Sequence, residues 1–275
     1  MVRGRLVAAV GAAAATMVIW QARRSNRPGR EPEPSDAGRA MFDHAVALGR
    51  DGAPGVVAAY QAIIDRFGDD PGRRDLVAAA LFNQAVIVIR SGRPADALPA
   101  LDRAIAIYRE LELGPKLQQA RELQTEARAT ALFNEAVALG RDQRPESPEI
   151  AAMVYAEVIR RFGDDPALRN LTAKARFNLA QVLGGLRRDD EAAAAFAELA
   201  EVAGGDPGLR EMAAKARYSQ AVMLRRRGRA DEARTAIRQA VSLYRELAAA
   251  DPGHYRSGLD RAEELTAQLH GAGLL

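Results

Sequence analysis

The side chains best placed to do chemistry form a repeated pair: a polar residue directly after an aromatic one, and an arginine seven positions further on. The pairs are Asp43 with Arg50, Asn83 with Arg90, Asn134 with Arg141, and Ser219 with Arg226. Asn178 breaks the pattern, with Gly185 where the arginine would stand. A primary amide offers both a donor and an acceptor, and a guanidinium presents a planar fork of donors to a carboxylate. Seven residues make two helical turns, so each pair shares one helix face. A structural account competes with a binding one. The arginines fall in the last turn of their helices, where a cation offsets the macrodipole in any protein, and the asparagines can bridge neighbouring repeats.

Other clusters carry less. Arg-Phe-Gly-Asp-Asp-Pro occurs at 66–71 and again at 161–166. Its acids suggest a metal or phosphate site, but helix punctuation explains every residue: Gly68 and Gly163 as left-handed stops, Asp70 and Asp165 as caps of the next helix, proline in its first turn. His44, His254 and His270 lack ligand spacing, and there is no cysteine for a disulfide or a thiolate metal site. Gly184-Gly185 and Gly204-Gly205 have no lysine and Ser/Thr to complete a phosphate loop, and no serine sits in a Gly-x-Ser-x-Gly elbow. No catalytic constellation, metal or cofactor is therefore expected, and the chain reads as non-enzymatic.

Charge removes nucleic acid from the partners expected. The net charge is +3, from 39 basic and 36 acidic residues. Residues 1–36 hold six arginines against Glu31, Glu33 and Asp36, so the remainder of the chain is neutral. A nucleic-acid binder needs an excess of basic surface to displace counterions. The densest basic run, Arg225-Arg226-Arg227-Gly228-Arg229, has acids opposite it in sequence and reads as a solvated helix end.

The elements that position these side chains are repeats. FDHAVALGRD at 42–51 returns as FNEAVALGRD at 133–142, and each copy runs on into the Gly-Asp-Asp-Pro motif, the second after four extra residues in the turn. Related segments begin at Phe82, Phe177 and Tyr218. An aromatic and a small residue three positions later share a helical face, a turn follows, and acids (Asp96; Asp189, Asp190, Glu191; Asp231, Glu232) open a second helix where they suit its dipole. Neither helix buries its apolar stripe alone, so neighbouring units must stack.

These residues resemble tetratricopeptide (TPR) repeats. Gly-Arg-Ala-Asp-Glu-Ala-Arg at 228–234 and Leu-Arg-Arg-Asp-Asp-Glu-Ala at 186–192 match the turn and second helix of that family. Ala85, Ala136, Ala180 and Ala221 match its small residue on the first helix; Ala97, Ala192 and Ala233 match the one on the second. The Asp-Pro pairs beginning at 70, 165, 206 and 251 match its closing proline. The resemblance covers residues 37–252, with a capping helix over 253–270. The units are longer than the family's usual repeat, and the turn at 141–148 is enlarged. The resemblance implies an all-α, right-handed α-α solenoid of about five helix pairs whose first helices line a concave groove. There Asn83, Asn134 and Asn178 would hydrogen-bond a peptide backbone, and Arg90, Arg141 and Arg226 would pair with its acids or C-terminal carboxylate.

Residues 1–22 form a hydrophobic segment and 23–36 an Arg/Pro-rich linker ahead of the repeat domain at 37–270. The run LVAAVGAAAATMVIW (6–20) has no charge and no good signal-peptide cleavage site, so it reads as an uncleaved membrane anchor, short of the usual ~20 residues. Arg23, Arg24, Arg27 and Arg30 downstream place the repeat domain in the cytoplasm; a soluble cytoplasmic chain is the alternative. Lysine occurs only at 116, 174 and 215, an arginine and alanine bias typical of a GC-rich bacterial genome. The expected role is a scaffold or adaptor that binds a protein or peptide partner. The alternative is a self-associating homo-oligomer in contact through the enlarged turn and 111–123.

Overall fold

The computed structural model describes residues 34–271, with side chains from 37 to 270. The apolar run 6–20 lies outside the described residues. Among the described residues no helix is long and apolar enough to cross a membrane.

Among the described residues the architecture is all-α, built from five helix pairs and a closing helix. The pairs are α1 (Pro34–Arg50) and α2 (Val56–Phe67), α3 (Arg74–Arg90) and α4 (Pro94–Glu110), α5 (Gly114–Leu139) and α6 (Ser147–Phe162), α7 (Arg169–Gly185) and α8 (Asp189–Gly204), and α9 (Arg210–Arg226) and α10 (Ala230–Ala250). Helix α11 (Pro252–Gly271) follows, as expected of a cap. The chain divides into two compact units, one up to Ala131 and one from Leu132 on, so α5 contributes to both. In the first unit α1 to α4 pack consecutively; in the second α6 to α11 do so.

The small residues sit where the resemblance requires. Ala85, Ala136, Ala180 and Ala221 on the first helices, and Ala97, Ala192 and Ala233 on the second, are all buried. In three pairs the first-helix aromatic meets a ring of the second helix edge-on: Phe42 with Tyr60 at 5.9 Å, Phe133 with Tyr155 at 5.8 Å, and Phe177 with Phe196 at 5.4 Å. That geometry brings a ring's positive edge to its neighbour's face.

The helix stops differ in place from the expectation. Gly68 and Gly163 are right-handed, at φ −57° and −61°. Their glycine requirement is steric: a Cβ at 68 would lie 2.7 Å from the carbonyl oxygen of Ile64, and one at 163 closer still to that of Ile159. Left-handed stops lie in turns within pairs, at Gly52, Gly92 and Gly228 and at the non-glycine Arg187 (φ 63°), and also after α4 at the non-glycine Glu112 (φ 55°). Within pairs the N–H groups of Arg93, Arg188 and Arg229 donate to the carbonyls of Val88, Leu183 and Leu224 at 3.2, 3.0 and 3.0 Å, the long bond of a Schellman stop. The caps stand as expected. Asp70, Asp165 and Asp206 accept from the N–H of Gly72, Ala167 and Gly208 at 2.8–2.9 Å, each opening a short 3-10 turn that leads into the next helix. The enlarged turn at 141–148 is itself ordered. Asp142 accepts from Arg144 Nε at 2.6 Å and from the buried Ser147 hydroxyl at 3.0 Å.

Candidate functional site

The six candidates from the sequence divide by burial. Asn83 is 0% exposed, and its Nδ2 donates to the Tyr60 hydroxyl at 3.3 Å. It links consecutive helix pairs, and no part of it is open to a peptide. Asn178 makes the equivalent bond, Nδ2 to the Tyr155 hydroxyl at 3.1 Å, but stays half-buried. Asn134 is exposed. Burial pushes the Tyr60 phenol up to about 12, against the opposing pull of the Asn83 hydrogen bond. Tyr155 is also raised by burial, while Asn178 and the charge of Arg141 pull it back.

The arginines divide as well. Arg90 is exposed at the end of α3, and Arg141 is exposed in the turn after α5. Arg226 at the end of α9 brings Nη1 to 3.5 Å from Oδ1 of Asp189, which is only 4% exposed at the start of α8. That oxygen accepts no hydrogen bond, so the guanidinium supplies the compensating charge. The rest of the basic run is engaged: Arg225 donates to Gln268, Arg227 pairs with Asp190, and Arg229 with Glu232 and Asp190.

Around Arg226 the second unit opens into a cleft of about 530 Å³ between α7 and α9. Its apolar lining is Phe196, Tyr218, Val222 and Met223; Gln181, Arg187, Ser219 and Arg226 supply the polar lining. Two glycines shape it. A Cβ at Gly184 would stand 2.8 Å from Met223 Sδ, so glycine there lets α7 and α9 approach. A Cβ at Gly185 would meet nothing within 4 Å. The break in the arginine pattern thus coincides with open space at the cleft.

Arg187 was not singled out by the sequence pattern. It lines the cleft from a left-handed turn where three other pairs have glycine, is exposed, and makes no ion pair among the described residues. The missing glycine in Leu-Arg-Arg at 186–188 was the available signal. Gln181 and the floor residues were also missed, because apolar side chains on a repeat helix read first as core. Among the described residues no group of three or more His, Cys, Asp or Glu side chains is placed to hold a metal.

No protein-family profile matches the chain, and no curated protein is similar to it. Solved structures that are similar in part include two of the nearly identical TPR-like repeats of a Podosopora anserina protein assigned as a kinesin light chain, the second a variant of the first. They share 14% and 13% identity over 80% and 79% of this chain and 99% of theirs, each with a TM-score of 0.35. The fold assignment rests on the helix pairs themselves.

Proposed function

We propose that the chain is a non-enzymatic adaptor whose second unit holds a peptide segment of a partner protein in the cleft between α7 and α9. Helical repeats of the TPR-like kind generally mediate protein–protein interaction and typically carry no catalysis. The observation that carries the reading is the half-open aromatic face. Phe133, Phe177 and Tyr218 are partly exposed in the second unit, whereas Phe42 and Phe82 are sealed in the first. An apolar side chain of the partner would fill the floor over Tyr218, Val222 and Met223, and an acidic group would meet Arg187 and Arg226. Asn134, Asn178 and Arg141 remain proposed contacts of the same unit. Arg90 is a proposed contact of the first unit, and Asn83 is proposed to bridge helix pairs through Tyr60. Residues 6–20 stay proposed as the anchor of a cytoplasmic repeat domain on the strength of their uncharged run, and bacterial origin rests on composition alone.

Crosslinking with mass spectrometry in the native host tests the cleft. Gly185 lines the cleft and a Cβ there would meet nothing within 4 Å, so Gly185→Trp is expected to obstruct the cleft without displacing core side chains, with circular dichroism checking unchanged helicity. Crosslinks from one partner to α7 and α9 should be present in the wild type and lost in the variant. An unchanged partner map in Gly185→Trp refutes the cleft reading.

A further inference from the structure

Helix α6 carries a stripe that is complementary to itself. Glu149, Met153, Ala156 and Arg160 are spaced four, three and four apart, which places them in line on one helical face. All four are exposed, and Met153, at 70%, is far more open than its apolar neighbour Ile150 at 40%. The line reads acid, large apolar, small apolar, base. Reversed, it presents base, small, large, acid. A two-fold axis crossing α6 between positions 154 and 155 would therefore set Glu149 against the partner's Arg160, and Met153 against the partner's Ala156.

The small end of the stripe is also the concave end. A cavity of about 240 Å³ opens beside Ala156, lined by Ile159, Leu179 and Ala195, with the Arg176–Glu198 ion pair at 2.8 Å among its polar groups. A methionine side chain is flexible enough to enter such a space. Isologous dimers need this arrangement, one patch holding both the projection and the recess related by the dyad. Antiparallel helices also set opposite dipole ends side by side. Arg160 sits in a bidentate pair with Glu157 at 2.7 and 2.8 Å, yet its side chain is 69% exposed and can reach across.

The geometry points to a homodimer formed by antiparallel packing of α6 on α6 of a second copy, Met153 of each chain entering the cavity beside the partner's Ala156. This surface shares no residue with the α7/α9 cleft, and it differs from the contact through the enlarged turn and 111–123 expected from sequence. Leu123 of that segment is buried in the core of the first unit, and Leu113 and Leu117 pack against it. A single helix face makes a small interface, so dissociation in about the micromolar range or weaker is expected.

Sedimentation equilibrium of the full chain over a wide concentration range tests the proposal, with circular dichroism confirming unchanged helicity in every variant. The wild type should approach twice its monomer mass at high concentration. Met153→Lys should weaken association by about tenfold or more, as expected of a central anchor. Glu149→Arg and Arg160→Glu should each weaken it less, and the double variant Glu149→Arg/Arg160→Glu should recover it. A constant monomer mass overturns the proposal, as does association that is indifferent to Met153→Lys or a double variant no better than the singles. None of these outcomes bears on partner binding in the cleft.

Discussion

Helices α3 and α7 occupy the same place in their repeats and carry the same Phe-Asn pair, yet one is sealed and the other half open. In α3 nearly every position from Leu76 to Ile89 is buried, including Phe82 and Asn83. In α7 the buried set shrinks to Thr172, Ala173, Ala175, Ala180, Leu183 and Gly184. The cause lies in the side chains between the shared ones. Around Phe82 the chain reads Val-Ala-Ala-Ala-Leu-Phe-Asn-Gln-Ala-Val-Ile-Val-Ile, apolar on all sides, and a helix of that kind belongs inside. Around Phe177 it places Lys174, Arg176 and Gln181, whose polar ends hold that surface in water. One motif thus serves as core in the first unit and as a half-open face in the second.

The sharpest way to break this comparison is to delete the ring in each. Phe82→Ala should cost about 3–5 kcal/mol, since a fully buried ring leaves a cavity that its surroundings only partly fill. Phe177→Ala should cost about 1–2 kcal/mol, because part of the ring already faces solvent and the main loss is its edge contact with Phe196. Urea unfolding of the two variants measures both. Equal losses would mean that the two helices are sealed alike.

The asparagines give a second contrast, of about 2 kcal/mol. Asn83→Ala leaves the buried Tyr60 hydroxyl without the amide that donates to it, at a cost of about 1–3 kcal/mol. Asn178→Ala should cost less, since water reaches its site. Alkali sharpens the test. The folded phenol of Tyr60 titrates at about 12 against an ordinary 10, so the native state holds its proton where the unfolded chain has lost it. Its contribution is complete below pH 10 and declines as pH rises from 10 towards 12, by about 2 kcal/mol. Urea midpoints between pH 8 and 11 should fall, and Tyr60→Phe should remove part of that fall. A Tyr60→Phe variant whose midpoints fall as steeply as the wild type's would show that Tyr60 contributes nothing to it.

Much of the fold was legible because repeats state their own period. Aromatic, small residue, turn glycine and Asp-Pro recur, and the helix pairs fall between them. The site was legible only in outline. Arg226 belongs to the cleft, and the anomaly at Gly185 marks its opening. Asn83 was misplaced because Phe-Asn reads identically at 82–83 and 177–178, while its burial depends on how closely α2 and α4 pack on α3. The bridging role was in fact spelled out by spacing: Tyr60 to Asn83 and Tyr155 to Asn178 are each 23 residues apart, whereas Leu111, with no hydroxyl, stands 23 before Asn134. The left-handed stops were assigned to the wrong glycines because a glycine after a helix has two possible reasons, positive φ or clearance, and only backbone angles separate them.

The smallest effect concerns Arg187. Its φ of 63° costs an L-residue about 1 kcal/mol, a strain that Gly52, Gly92 and Gly228 avoid and that Glu112 (φ 55°) shares. Arg187→Gly should therefore stabilise the second unit by about 0.5–1 kcal/mol, the relief being offset in part by glycine's greater freedom when unfolded. If the arginine is there only as a turn residue, the variant should gain stability and keep every partner crosslink. If it is held in a strained turn because its charge lines the cleft, the same substitution should raise the urea midpoint and weaken partner capture together. Strain retained at a site that glycine would relieve is the pattern expected where binding and stability conflict. A stabilised Arg187→Gly that binds as well as wild type would leave Arg226 as the remaining cation lining the cleft and shift the recognition of an acidic group onto the Arg226–Asp189 pair.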